Sequence, residues 1–343
     1  MSRYFIRRIL QAIPLLILVS VFVFILLKLA GDPLSYLAID PRVSDADRAL
    51  LRRSLGLDDP VYMQYIHWLI GDTWYARDLD FDGEPETYGD QLGILRGDFG
   101  ESIRFRRPVT EVIGDFLPNT LILGTTALLV TIVLGVSIGL FAALRQYSIW
   151  DNIITTISFL TFSMPIFLVA LLGVMIFSIF FREIGLPHLP VQGMYDPRGD
   201  RSLDELLVRL ILPTMSIAAI SIARYARFTR ASMLENINAD YVRTARAKGL
   251  GERRINFVHT FKNASIPIIT LIALDIPFIL SGAVVTETIF SWPGMGKLFI
   301  DSLGTLDPPV LMITVLMTAV GVVIFQMIAD LLYAWVDPRI RFD

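Results

Sequence analysis

Asp78, Asp80 and Asp82, followed by Gly83, match the first half of a calcium-binding loop, where alternating carboxylates converge on one cation and glycine allows the sharp turn. The twelfth position of such a loop carries a bidentate glutamate; here it is Gly89. Residues 72–90 hold seven acids and one arginine, so a solvated acidic loop is the plainer reading. A second pattern, Gly294-Met295-Gly296-Lys297, resembles a phosphate-cradling loop. However, Leu298 replaces the magnesium-binding serine or threonine, and Ser291 stands where the leading glycine belongs. One carboxylate, Asp275, falls well inside an apolar run, where charge is costly unless it meets a cavity or a partner. It could hold an amino group or cationic side chain of a solute, pair with a second subunit, or accept structural hydrogen bonds. Glu287 and Asp330 lie near the ends of apolar runs, where water or headgroups make charge cheap, and read as structural. His67, His188 and His259 are far apart, and there is no cysteine, which excludes disulfides, thiolate metal sites and cysteine nucleophiles.

These groups need elements to position them, and the composition says of what kind. Of 343 residues, 54% are hydrophobic and 18% charged, with a mean hydropathy of +0.59. Soluble domains average about 25% charged residues, so this chain has too little polar surface to cover a globule in water. A net charge of -3 lacks the basic excess of a nucleic-acid binder. A helix crosses about 30 Å of hydrocarbon with roughly 20 apolar residues. Six stretches have that length: Ile9–Leu29, Leu121–Leu144, Ile153–Phe181, Leu206–Tyr225, Ile266–Ile289 and Val310–Trp335. Pro165 predicts a kink or tilt in the third, while Arg209 and Pro213 weaken the fourth. The first follows Arg3, Arg7 and Arg8 as a signal peptide would, but its apolar run is too long and no small-residue cleavage site follows, so it is expected to be retained.

Orientation follows from lysine and arginine near the span ends. Segment 224–262 carries nine basic residues against three acids, and placing it in the cytoplasm puts both termini there too. The long connection 30–118 then faces outward. Within it, Val43-Ser44-Asp45-Ala46-Asp47 reads as the start of a capped amphipathic helix. A second helix is expected over Val61–Ile70, with Tyr62, Tyr65, Ile66 and Leu69 on one face.

The basic segment contains its own short element. Asp240 can cap a helix Tyr241–Lys248 about 12 Å long, and Gly249 and Gly251 can end it. Tyr241, Val242 and Ala245 share one side; Arg243, Arg246 and Lys248 cover the rest. Small residues at Ala245, Ala247 and Gly249 would let another surface approach the backbone. Physical reasoning leaves two readings open, a docking element for a cytosolic partner and a basic loop against lipid headgroups.

Here a resemblance enters. Asp240-Tyr241-Val242-Arg243-Thr244-Ala245-Arg246-Ala247-Lys248-Gly249-Leu250, continued by His259, Lys262-Asn263-Ala264 and Pro267, resembles the cytoplasmic signature of permease subunits in binding-protein-dependent ABC importers of the dipeptide/oligopeptide/nickel class. Thr286-Glu287-Thr288-Ile289-Phe290-Ser291-Trp292-Pro293-Gly294-Met295-Gly296 and the tail Asp337-Pro338-Arg339-Ile340-Arg341 are similar too. So are Arg7-Arg8, Gly31-Asp32-Pro33, Leu55-Gly56-Leu57-Asp58 and Gly97-Asp98-Phe99-Gly100, so the likeness runs along nearly the whole chain. Arg243 and Thr244 depart from the general Glu-Ala-Ala coupling motif, of which Ala245 and Gly249 remain. The acidic stretch 72–90 looks like an insertion.

The resemblance implies an all-α membrane protein, type I ABC importer-like, with six transmembrane helices and a long extracytoplasmic loop between helices 1 and 2. Residues 1–30 would be the cytoplasmic end and first helix, 31–118 the loop, and 119–343 the core permease domain with coupling helix 240–250. Tyr241, Arg243, Ala245, Arg246, Lys248 and Gly249 would couple to the ATPase, with Ala245 and Gly249 making the close contact and Arg243 and Arg246 choosing acidic partners. Asp275 is the candidate for the substrate pathway, and Asp78, Asp80 and Asp82 a weak one for calcium. No catalytic site or bound cofactor is expected in this chain, because ATP and magnesium would sit on two cytosolic ATPase subunits. A second permease subunit, an extracytoplasmic substrate-binding protein and membrane lipid complete the implied partners, with no nucleic acid. The implied place is a bacterial or archaeal inner membrane and the implied cargo a di- or oligopeptide, with nickel or another small solute as the alternative. Trp292-Pro293-Gly294 reads as an interfacial anchor and turn. A secondary transporter is the rival class, but the internal repeat it would show is not evident.

Overall fold

The structure, a computed structural model, describes residues 2–34, 44–79, 84–279 and 283–336. Its elements run α1 (Ser2–Ala30), α2 (Asp45–Ser54), α3 (Val61–Ile70), β1 (Ala76–Arg77), β2 (Thr87–Tyr88), α4 (Val109–Leu144), α5 (Ile149–Ser163) and α6 (Ile166–Glu183). They continue with α7 (Leu203–Ile237), α8 (Asp240–Ala247), α9 (Glu252–Ile279), α10 (Val284–Ile289), α11 (Met295–Gly304) and α12 (Pro308–Val336). Six of these helices, α1, α4, α6, α7, α9 and α12, are long and apolar enough to cross a membrane. The six expected spans are therefore present, with shifted ends.

Two of the shifts have clear causes. The third apolar run is not one kinked helix but two, because Pro165 lacks an N–H and drives Met164 into extended backbone (ψ 136°). Only Ile166–Glu183 is then long enough to span. The fifth begins earlier, at Glu252, and ends at Ile279, while Val284–Ile289 forms the separate α10. The weak fourth run becomes a 35-residue helix: Ser202 caps it, Arg209 pairs with Glu205 at 2.9 Å, and Pro213 is buried inside it.

By contacts the chain divides into two units. One contains Leu117–Lys297 with the stretches ending at Arg8 and beginning at Gly321. Here α7 is the central helix, packed by α5, α6 and α9. Tyr225, Ile268 and Leu271 form one buried cluster, and Ala143, Met233 and Ala264 another. At Gly139 of α4 a Cβ would meet the Ala226 carbonyl oxygen 2.4 Å away, so only glycine lets the α4 and α7 backbones come this close.

The other unit is Ile9–Phe116 with Leu298–Val320, which groups most of the first span with the long connection. Ser20 of α1 hydrogen-bonds the Tyr65 hydroxyl of α3 at 2.8 Å. Buried Asp307, just before α12, accepts from the Ser102 hydroxyl (2.6 Å) and the Arg104 N–H (3.1 Å). Ser44 caps α2 reciprocally with Asp47, as expected, and that hydrogen bond holds the Asp47 carboxyl below the ordinary range. α3 spans the expected residues, but its buried side chain is His67 rather than any of the four apolar ones.

The mostly helical architecture also includes a small sheet in the long connection. Ala76 pairs with Tyr88 and Arg77 with Thr87, antiparallel. The acidic stretch is thus partly folded: buried Asp72 takes the Arg77 guanidinium at 2.6 Å and the Gln91 N–H at 3.0 Å.

Candidate functional site

The short helix α8 lies between two long ones. It begins a residue earlier than expected, so Ala239 is its N-cap, without a side-chain bond, and exposed Asp240 starts its first turn. Gly249 does close it, with φ +76°, a left-handed conformation costly for any residue with a Cβ. No atom stands within 4 Å of where that Cβ would be, so backbone shape rather than crowding requires glycine. Gly251 does not end this helix; it caps the start of α9 instead.

Packing divides the predicted coupling residues. Val242 and Ala245 are buried against Ile255 of α9, so the close approach expected of Ala245 toward a second surface is made inside the chain. Tyr241, expected on that same buried side, is exposed and its hydroxyl donates to Asn236. Arg243, Arg246 and Lys248 are exposed as well. Arg246 forks onto Glu252 at 2.8 and 3.2 Å, whereas Arg243 lies 3.5 Å from the exposed Asp240.

Three arginines of the basic segment belong to helix packing rather than to a loop. Arg230 binds Asp151 through two bonds of 2.6 and 2.7 Å, and Arg227 lies over the rings of Phe162 and Phe159. Arg224 pairs with Asp275, and the Tyr225 hydroxyl donates to the same carboxylate oxygen at 2.8 Å. The carboxylate in the apolar run therefore has its partners within the chain, on α7. Arg224 and Asp275 also line a cavity of about 330 Å³ together with Thr120, Ser221 and Glu287. The sequence signal for this pair is an arginine one span away, which the sequence reading assigns to the basic cytoplasmic segment 224–262.

Glu287 is the second surprise. It is fully buried, so the cheap solvation expected near a span end is not available to it. Instead the chain wraps it: Thr120 donates to one carboxylate oxygen at 2.9 Å and the Lys297 N–H to the other at 3.0 Å. A Cβ on Gly294 would fall 2.5 Å from that carboxylate. The glycine loop that resembles a phosphate cradle thus holds the protein's own carboxyl group. Trp292 is no interfacial anchor: it is wholly buried and its indole N–H donates to the Asn119 carbonyl at 2.9 Å. Asp330, also expected at a cheap site, is largely buried and pairs with Arg8 at 2.9 Å.

For calcium, the Asp78 carboxylate is engaged by Arg53 at 3.1 Å, while Asp80 and Asp82 lie outside the described residues, as does the tail motif 337–341. Among the described residues no cluster of three or more acids or histidines has metal-binding geometry.

A helical protein with six candidate spans, an ion pair between two of them beside a cavity and a short basic helix connecting the same two has features expected of a transport component. Comparison with known proteins gives the family. Residues 135–342 match the binding-protein-dependent transport system inner membrane component, and residues 1–124 match the N-terminal region of that component. The chain belongs to this family: it is a non-catalytic, multi-pass inner-membrane component of a transport system whose class implies ATPase and binding-protein partners. It is 39% identical to the oligopeptide transport system permease protein AppB of Bacillus subtilis, over the full length of both chains. It is 37% identical to the di/tripeptide transport system permease protein DppB of Pseudomonas aeruginosa and 34% to the dipeptide transport system permease protein DppB of Escherichia coli K12, covering 99% of each chain.

Proposed function

We propose that this chain is the membrane-spanning permease of an ATP-driven importer of di- or oligopeptides. The observation that carries the cargo is likeness along the whole chain to three permeases named for peptides. In this reading the chain pairs with a second permease, two cytosolic ATPases supply ATP and magnesium chemistry, and an extracytoplasmic binding protein delivers the peptide. The basic residues around α8 favour a cytoplasmic position for that helix and for both termini.

Mechanically, α8 is a stiff element seated on the first turns of α9 through Val242, Ala245 and Ile255. A partner pressing on its exposed face, made of Tyr241, Arg243, Arg246, Lys248 and the Gly249 turn, would move α9 directly. The Asp275 bonds to Arg224 and Tyr225 tie α9 to α7, so both helices follow. Rigid-body tilting of such a pair changes which side of the membrane the cavity faces.

Asp275 then has a double part, holding α7 to α9 and presenting a carboxylate to the cavity where a peptide amino group passes. Asp275→Asn keeps hydrogen-bonding capacity but leaves Arg224 without its counter-charge. Uptake of a labelled dipeptide by proteoliposomes containing the whole importer tests the reading. ATP-dependent accumulation is expected, falling about tenfold in Asp275→Asn. Nickel accumulation without peptide accumulation would replace the cargo assignment, and full uptake by Asp275→Asn would remove that residue from the pathway.

A further inference from the structure

A second cavity, of about 550 Å³, lies in the other unit, against α3 and the last turns of α1. It shares no lining residue with the Arg224–Asp275 cavity. Gln64, His67 and Trp68 stand at i, i+3 and i+4 on α3, hence on one face, and all three line it with Phe24 and Lys28 of α1. Its size falls within the roughly 300–1,000 Å³ of small-molecule sites.

The polar atoms say what it would take. Arg77 lies 3.2 Å and the Asp59 carboxylate 3.5 Å from His67 Nδ1. A guanidinium can only donate, and Asp59 is itself held by Arg77, so with Nδ1 accepting from the nearer Arg77 the ring proton is on Nε2. Burial, and then the Arg77 charge, lower the proton affinity of His67 against weaker pulls from Asp59 and Asp72, which favours the neutral ring. Its Nε2–H is buried without a partner among the described residues, and so is the Trp68 indole N–H. The His67 side chain is only 6% exposed, and a buried donor left unmet is costly. Lys28 directs one ammonium proton to Gln64 and has two more. Gln64 has no capacity left for a ligand on its amide nitrogen, which donates to the Leu57 and Asp59 carbonyls.

The carboxylates of the cavity are differently placed. Asp98 is satisfied by the Leu92 and Gly100 N–H groups at 2.8 and 3.0 Å. Asp90 and Glu101 are exposed. Donors that are buried or partly buried and acids that are exposed thus line one small-molecule-sized space.

The geometry points to a binding site for a small zwitterion, its anionic group inward on Lys28, His67 and Trp68 and its protonated amine outward toward Asp90 and Glu101. Two sources share this chemistry: a free amino acid or short peptide, and the phosphoethanolamine headgroup of a lipid. Lys28 sits in the last turn of the first span, the depth at which headgroups lie.

The test uses the full chain in phosphatidylglycerol nanodiscs, with equilibrium binding of alanyl-alanine and, separately, of dihexanoyl phosphatidylethanolamine. Saturable binding of either is expected; the first assigns a soluble ligand and the second a headgroup. Trp68→Phe keeps the ring and removes the donor, and Lys28→Met removes the charge. Each should weaken binding by about tenfold. Absence of binding by both probes overturns the site. So does equal affinity for N-acetyl-alanyl-alanine amide, which carries neither charge, or wild-type affinity in both Trp68→Phe and Lys28→Met. Weakening by Asp275→Asn alone would move the binding to the other cavity and also overturn it, while leaving the transport reading standing.

Discussion

Helix α8 and the loop around Glu287 are both short, glycine-bearing and conspicuous in the sequence, yet they use their polar groups in opposite directions. On α8 the apolar side chains Val242 and Ala245 anchor the helix to Ile255, and the arginines and lysine face outward. In segment 286–297, which runs from α10 into α11, the carboxyl group is the anchor, and a backbone N–H and a hydroxyl group close over it. An outward array of charge must be read by something else. An enclosed one is already satisfied and serves the fold.

The largest effect separating the two regions is expected from Gly294→Val. A side chain there would occupy the space of the Glu287 carboxylate, expelling a charge from its cradle. Little folded protein should be recovered, judged by monodisperse elution in detergent. If Gly294→Val elutes and transports like wild type, the cradle is not a fold determinant.

Gly249→Leu comes next. Its φ of +76° disfavours a branched side chain, yet open space surrounds the position, so insertion should persist. Peptide uptake should drop at least about tenfold while ATP hydrolysis by the complex continues; Gly249→Asn, which tolerates that backbone, should retain more uptake than Gly249→Leu. Undiminished uptake by Gly249→Leu would deny α8 its part as lever.

Glu287→Gln is milder, because shape is kept and only one donor–acceptor match is reversed. We expect a loss of about 1–3 kcal/mol in stability, seen as a lower detergent unfolding midpoint, with uptake per folded molecule unchanged. A transport defect without destabilisation would instead place Glu287 in the pathway, since it lines the cavity.

The smallest effect belongs to Arg243→Ala with Lys248→Ala. Exposed charges are worth about 0–1 kcal/mol, so affinity of the permease for its ATPase should fall only a few-fold, and its salt dependence should weaken. No change in salt dependence would mean that the basic face of α8 does not contact the ATPase.

These contrasts also mark what was legible beforehand. Span count, the Ser44 cap and the limits of α3 were readable because length, hydropathy and capping are local properties of the chain. Gly249 was readable as a terminator for the same reason. The division of the third run at Pro165 was underestimated: a proline inside a long apolar run signals bending, and how far the backbone parts depends on its neighbours. Trp292 misled because an aromatic beside proline and glycine at a span end looks interfacial, whereas burial is set by α4, which supplies the Asn119 carbonyl from 173 residues away.

The order of apolar runs and the basic excess near α8 sufficed by themselves for a six-span membrane component, while the kind of partner came only through the family resemblance of the motifs. Which charges meet was decided only in three dimensions. Asp275 with Arg224, Asp330 with Arg8, and Glu287 with its glycine loop are contacts between distant segments. A carboxylate inside a bundle takes whichever donors the packed helices bring to it, and no local spacing encodes that.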